Sequence, residues 1–178
     1  MFSAFRKAAT EVTIFHHPSS PSSQKALNML RSAVSGPYPP TKSTSPPLDF
    51  KLEVIEAPPT PDQLKTIMSY VSPNSTLSVF LSAHPSTPSG SEAPQSASAI
   101  HNIAAHNPNV MKWPIVVDWT KGRVSIGDVE GVQSILETLR KQRDGELPQE
   151  EEVDRPKVYY FYIHSANQNG YYKYKTED

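Results

Sequence analysis

The stretch His16-His17-Pro18-Ser19-Ser20-Pro21-Ser22-Ser23-Gln24 is the part of the sequence richest in groups that could do chemistry. A serine hydroxyl attacks a substrate when a general base takes its proton and a set of donors receives the oxyanion. His16 or His17 could be that base for Ser20, but no third group in the sequence is identifiable as the orienter of either ring. Ser20 also stands at the start of a helical pattern, where its oxygen can accept a backbone N–H of the first turn. We read it as a helix cap and assign no residue as catalytic. The amides of such a helix start offer a small anion a generic seat.

The chain has no cysteine, which excludes disulfides, thiolate metal sites, iron–sulfur ligation and every thiol mechanism. His101 and His106 stand at a spacing that does not stack on one helix face, and no carboxylate cluster accompanies them. They read as surface histidines. Neither a metal nor a cofactor is expected.

The elements that position the His-Ser stretch follow from pattern. Val12-Thr13-Ile14-Phe15 is a β-branched and aromatic run that reads as a buried strand. The next helix carries Ala26, Leu27, Leu30 and Val34 on one face and ends at Gly36-Pro37. Residues 36–48 hold five prolines and read as a loop. Phe50, Leu52 and Val54 alternate with polar residues in a second strand running to about Ala57. Thr60, Pro61 and Gln63 have the signature of a capping box ahead of Leu64, Ile67, Met68 and Val71. The Ser- and Pro-rich stretch 72–95 surrounds an apolar patch, Leu77 to Leu81, a short strand or a turn. Residues 96–106 carry Ile100, Ile103 and Ala104 in helical spacing.

Ile115-Val116-Val117 and Arg123 to Ile126 are two short strands joined by a tight reversal at Thr120-Lys121-Gly122, and should pair antiparallel. Asp128 then caps a last helix with Val129, Val132, Ile135, Leu136 and Leu139 on one face. The order predicts a parallel βαβ unit, a hairpin and a closing helix, giving an α/β fold with a central mixed four-stranded sheet covered on both faces.

The whole chain has 178 residues, enough for one domain with tails or long loops. Net charge is −1, so no overall basic field draws nucleic acid or an anionic membrane. No apolar run reaches the length of a bilayer span. The first ten residues, with Phe2, Phe5, Arg6 and Lys7 and no acid, have a faint targeting character. Composition changes at Pro148: an acidic run, Glu150 to Asp154, precedes a segment holding six of the eight tyrosines. Tyr159–Ile163 and Tyr171–Tyr174 could pair across Asn169-Gly170 as a hairpin. The domain is therefore drawn over residues 1–148, and 149–178 as an appended, poorly ordered extension.

Ile14 to Leu27 resembles the first strand, loop and helix of arsenate-reductase-type thioredoxin folds, in which an aromatic residue, a histidine and a proline lead into a cysteine at the helix start. Ser20 stands in the cysteine's place. Trp113-Pro114-Ile115-Val116-Val117 is similar to that group's Arg-Pro-Ile-Val segment, and Arg123 to Gly127 to its fourth strand. Glu56 to Leu64 (Glu-Ala-Pro-Pro-Thr-Pro-Asp-Gln-Leu), Val117-Asp118-Trp119 and Gly122-Arg123 resemble the fungal mitochondrial redox protein family over residues 1 to about 148.

The resemblance implies a thioredoxin-like fold, a mitochondrial location and a suggested role in reducing small, toxic molecules. It places the thiol-type loop at His16, Pro18, Ser20, Ser23 and Gln24, and a groove with a cis proline at Trp113 and Pro114. Where those reductases carry anion-clamping arginines, this sequence has Trp113 and Asp128, which removes the clamp for an oxyanion. Two readings follow: a redox-family oxidoreductase with altered chemistry, or a non-catalytic thioredoxin-fold module that binds a peptide or protein. The expected partner is a small molecule or a peptide, with no nucleic acid and no insertion into a membrane.

Overall fold

A computed structural model describes residues 10–147. The targeting character read in the first residues, and the extension with its Tyr159–Ile163 and Tyr171–Tyr174 hairpin, lie outside the described residues.

Four strands, β1 (Thr10–Phe15), β2 (Phe50–Ile55), β3 (Ile115–Asp118) and β4 (Arg123–Ile126), form one sheet in the order β2-β1-β3-β4. Among the described residues the α-helices are α1 (Pro21–Ser35), α2 (Pro61–Tyr70), α3 (Ala97–His106) and α4 (Val129–Arg143). β1 and β2 run parallel with Ile14 opposite Val54, and β3 is antiparallel to both β1 and β4. This βαβ unit followed by a ββα unit on one mixed sheet is the α/β arrangement that the residue pattern predicts.

Alternation along the strands divides the core in two. Val12, Ile14 and Val116 face α1 and α4, where they meet Ala26, Leu27, Leu30, Val132 and Leu136. Phe15, Ile115 and Val117 face the other way, against Leu64 and Ile67 of α2 and Ile100 and Ala104 of α3. The seat of α4 on β4 is close: a Cβ built at Gly131 would stand 2.5 Å from Ser125 Oγ.

Helix ends follow the chemistry of their caps. The Thr60 side chain accepts from the Gln63 amide while the Gln63 side chain accepts from the Thr60 amide, so the capping box forms in full. Asp128 caps α4 by accepting from the Gly131 N–H. Arg140, Lys141 and Arg143 occupy its last turn, where cations complement the helix dipole.

Two expectations need correction. β2 stops at Ile55, short of Ala57. Val34 is exposed and Ala33 takes the buried position, because the buried stripe of α1 runs through Ser23, Ala26, Leu27, Leu30 and Ala33. Of the two forms open to Leu77–Leu81, the chain takes the turn: a turn of 3₁₀ helix over Leu77–Phe80 buries Phe80 and leaves Leu81 as a single bridge to Met111. Residues 36–48 are irregular, as their prolines require, yet they are tied down: the Arg143 guanidinium donates to the carbonyls of Tyr38 (2.9 Å) and Pro46 (2.6 Å).

Candidate functional site

The His-Ser stretch joins the end of β1 to the start of α1, and the Trp113–Pro114 segment reaches the same place from the start of β3. The Trp113–Pro114 peptide bond is cis. The His17 carbonyl accepts from the Ser20 amide at 3.0 Å, closing a turn that delivers Ser20 to the helix as its N-cap, with φ −90° and ψ 116°.

Hydroxyls link the two segments. Ser22 Oγ donates to the Trp113 carbonyl (2.8 Å), and Ser20 Oγ lies 3.0 Å from Ser22 Oγ. Because the Ser22 proton is directed at a carbonyl, which can only accept, Ser20 is the donor of the second bond. Its oxygen in turn accepts the Ser23 amide at 3.3 Å. One directed chain therefore runs from the helix cap to the backbone beside the proline. Ser22 was not among the residues singled out from sequence: its partner is 91 positions away, and a serine run carries no signal of which member faces that partner.

The histidines are held separately. His16 is buried, 6% exposed, with Nδ1 2.8 Å from the Oγ of the fully buried Ser23. That oxygen also accepts the His17 amide at 3.1 Å. The His17 ring leans on the Trp113 indole, centroids 5.5 Å apart. Gln24 donates to the Pro18 carbonyl, and Pro18 itself is exposed. So His16, Pro18, Ser20, Ser23, Gln24, Trp113 and Pro114 are brought together, but neither histidine is hydrogen-bonded to the Ser20 oxygen.

Trp113 is 7% exposed, and its indole N–H donates to the Pro108 carbonyl at 2.8 Å. It is a plug between the loops. Asp128 is the cap of α4, not a free carboxylate. The Pro114 carbonyl accepts from the Gly127 amide (2.7 Å), and Gly127 has φ +79° with its Cβ position 2.9 Å from Lys112 Cβ. A side chain there would be strained in backbone and contact alike.

Elsewhere, His101 Nδ1 pairs with the Pro59 carbonyl and His106 Nδ1 with the Asn102 carbonyl, so in each ring this nitrogen carries the proton. Among the described residues no group of three or more histidines and acids is placed to hold a metal ion. At the end of β3, Asp118 is fully buried; Oδ1 accepts the amides of Thr120 and Lys121, forming the hairpin turn. Oδ2 and the Nη1 of Arg123 are buried without hydrogen-bond partners among the described residues. Burial pushes the Asp118 carboxyl above its ordinary range, against the Lys121 and Thr120 amides and the Arg123 charge, which pull it down. A shallow depression of about 340 Å³ opens at α3, lined by Ser86, Ile103, His106 and Val110 and sharing no residue with the His-Ser loop. Among the described residues no helix is long and apolar enough to cross a membrane.

Residues 2–127 match the model of a family described as "Protein of unknown function (DUF1687)". No curated protein matches the chain. Solved structures similar to it include an arsenate reductase from Vibrio cholerae, with 18% identity and a TM-score of 0.46 over 72% of this chain and 98% of that one. Another is named "Putative arsenate reductase from Yersinia pestis", with 21% identity and a TM-score of 0.45 over 71% of this chain and 98% of that one.

Proposed function

We propose that this chain, which belongs to the DUF1687 family of proteins of unknown function, is a mitochondrial thioredoxin-like protein of redox type that works by binding and not by thiol attack. Its binding face lies between residues 16–24 and the cis-proline segment, and its ligand is a small molecule or an extended peptide. The observation that carries this reading is the state of Ser20. Its oxygen accepts a helix amide, its proton goes to Ser22, and both histidines are engaged with other partners. A hydroxyl so placed has no base to activate it. The mitochondrial part rests on the resemblance to the fungal redox proteins, and fractionation of cells expressing the full chain tests it.

A second reading, an oxidoreductase that reduces small molecules, is favoured by the topology, which sets Ser20 at a helix start against the Trp113–Pro114 segment. A reductase assay with glutathione or thioredoxin as donor separates the two. We expect no turnover above the reaction without protein. Turnover by this cysteine-free chain would overturn the binding reading and sustain the oxidoreductase.

A further inference from the structure

β2 forms one border of the sheet, with β1 on its inner side. The His16 amide donates to the Ile55 carbonyl at 2.8 Å, so the backbone groups of Ile55 turn toward β1, and by the two-residue repeat so do those of Glu53 and Lys51. Those of Phe50, Leu52 and Val54 turn outward. No backbone bond outside the sheet ladder engages them among the described residues. The side chains of Leu52 and Val54 lie half-buried on the α1 and α4 face, while Lys51 and Glu53 are exposed on the other.

We propose that β2 pairs with β2 of a second copy of this chain, antiparallel about a two-fold axis at Leu52, joining two four-stranded sheets into one. Charge sets this register. With Leu52 opposite Leu52 of the other copy, Lys51 stands opposite Glu53 and Glu53 opposite Lys51, two ion pairs at directly facing positions. Moving the axis by one residue sets Lys51 against Lys51 or Glu53 against Glu53, which repel. The same register places Phe50 opposite Val54, so the outward backbone groups of both strands meet as hydrogen-bonded pairs. The strand itself runs only from Phe50 to Ile55, so the ladder between the two copies is confined to those residues. The interface is self-complementary and uses the same edge on both copies, so at this edge association stops at two.

Sedimentation of the full chain over a dilution series tests this. A reversible monomer–dimer equilibrium is expected. Lys51→Glu and Glu53→Lys should each weaken the dimer by about tenfold or more, because symmetry turns two attractions into two repulsions. The two changes together restore opposite charges and should bring the dissociation constant back to within about threefold of the parent. Since the chain has no cysteine, Leu52→Cys supplies a single thiol at the axis, where facing Cα atoms about 5.5 Å apart suit a disulfide. It should oxidise to a covalent dimer. Val54→Cys should not, because its counterpart lies four residues along the strand, roughly 13 Å away.

Four results overturn the proposal. One is a chain that stays monomeric at every concentration, including one whose β2 amides are shielded by its own residues beyond 147. The others are a dimer indifferent to Lys51→Glu, a double variant that fails to recover, and a Val54→Cys variant that cross-links as readily as Leu52→Cys.

Discussion

Replacing Ser22 with alanine breaks the bond that fastens the α1 start to the backbone beside Pro114. The Trp113 carbonyl loses its donor at 2.8 Å, inside a residue that is 7% exposed. A hydrogen bond of this kind is worth about 1 kcal/mol net, rising toward about 3 if the stranded carbonyl stays dry. Ser22 is half-buried, so water reaches part of the gap, and alanine's better helix propensity returns a few tenths. The expected cost is about 1–1.5 kcal/mol. Ser20→Ala removes the acceptor of the Ser23 amide and should cost about 1 kcal/mol. The two hydroxyls are 3.0 Å apart in one directed chain, so the double variant should cost less than the sum by about 0.5–1 kcal/mol. Equilibrium urea unfolding of the four proteins measures this. At a slope of about 1–3 kcal/mol per molar for a protein of this size, the midpoint shifts lie on the order of 0.5–1 M. Additivity within about 0.3 kcal/mol would refute the connected chain. A Ser22→Ala cost below about 0.5 kcal/mol would mean that the seam between the loops is held elsewhere.

Ser20→Cys should give a thiol with a depressed pKa, set against helix amides, and faster alkylation near neutral pH than a free thiol; an ordinary thiol pKa would remove the functional reading of this position. Arg143→Ala should cost about 1.5 kcal/mol through the two carbonyls of the 36–48 loop and speed amide exchange at Lys42, Ser45 and Leu48; unchanged exchange would show that the loop holds itself. Burial raises the Asp118 carboxyl in the fold above its unfolded value, so the protonated form favours folding and its contribution is lost as pH rises through the folded pKa. Asp118→Asn should therefore flatten the fall in melting temperature from the ordinary carboxylate range upward, and an identical pH profile for the two proteins would count against a buried carboxyl there.

Local chemistry was readable in the residues because it acts over three or four positions. Ser20, Thr60 and Asp128 are side chains that find an amide three residues on, and each proved to be the cap its spacing indicated. The strands were placed to within two residues by their apolar alternation. What could not be read is what depends on distant partners. The bonds from Ser22 to Trp113 and from Trp119 to Thr13 span 91 and 106 positions. The choice of Ala33 over Val34 depends on which side of α1 meets the sheet, and both positions fit the helical spacing of Ala26, Leu27 and Leu30. Proximity in sequence also misled: His16 and His17 are neighbours of Ser20, yet the fold directs one to Ser23 and the other to an indole.

The centre of the sheet also has a history in time. β1 pairs with β3 through Val12–Asp118 and Phe15–Ile115, so the two inner strands leave the ribosome about 100 residues apart. At roughly 5–20 residues per second, β1 and β2 have about 3–12 s together before the strand that closes the other side of β1 emerges. During that interval Val12 and Ile14 have α1 above them but not α4, and the β1 edge that will receive β3 is open. Two open edges flank the nascent βαβ unit, and among the described residues β3 closes one of them.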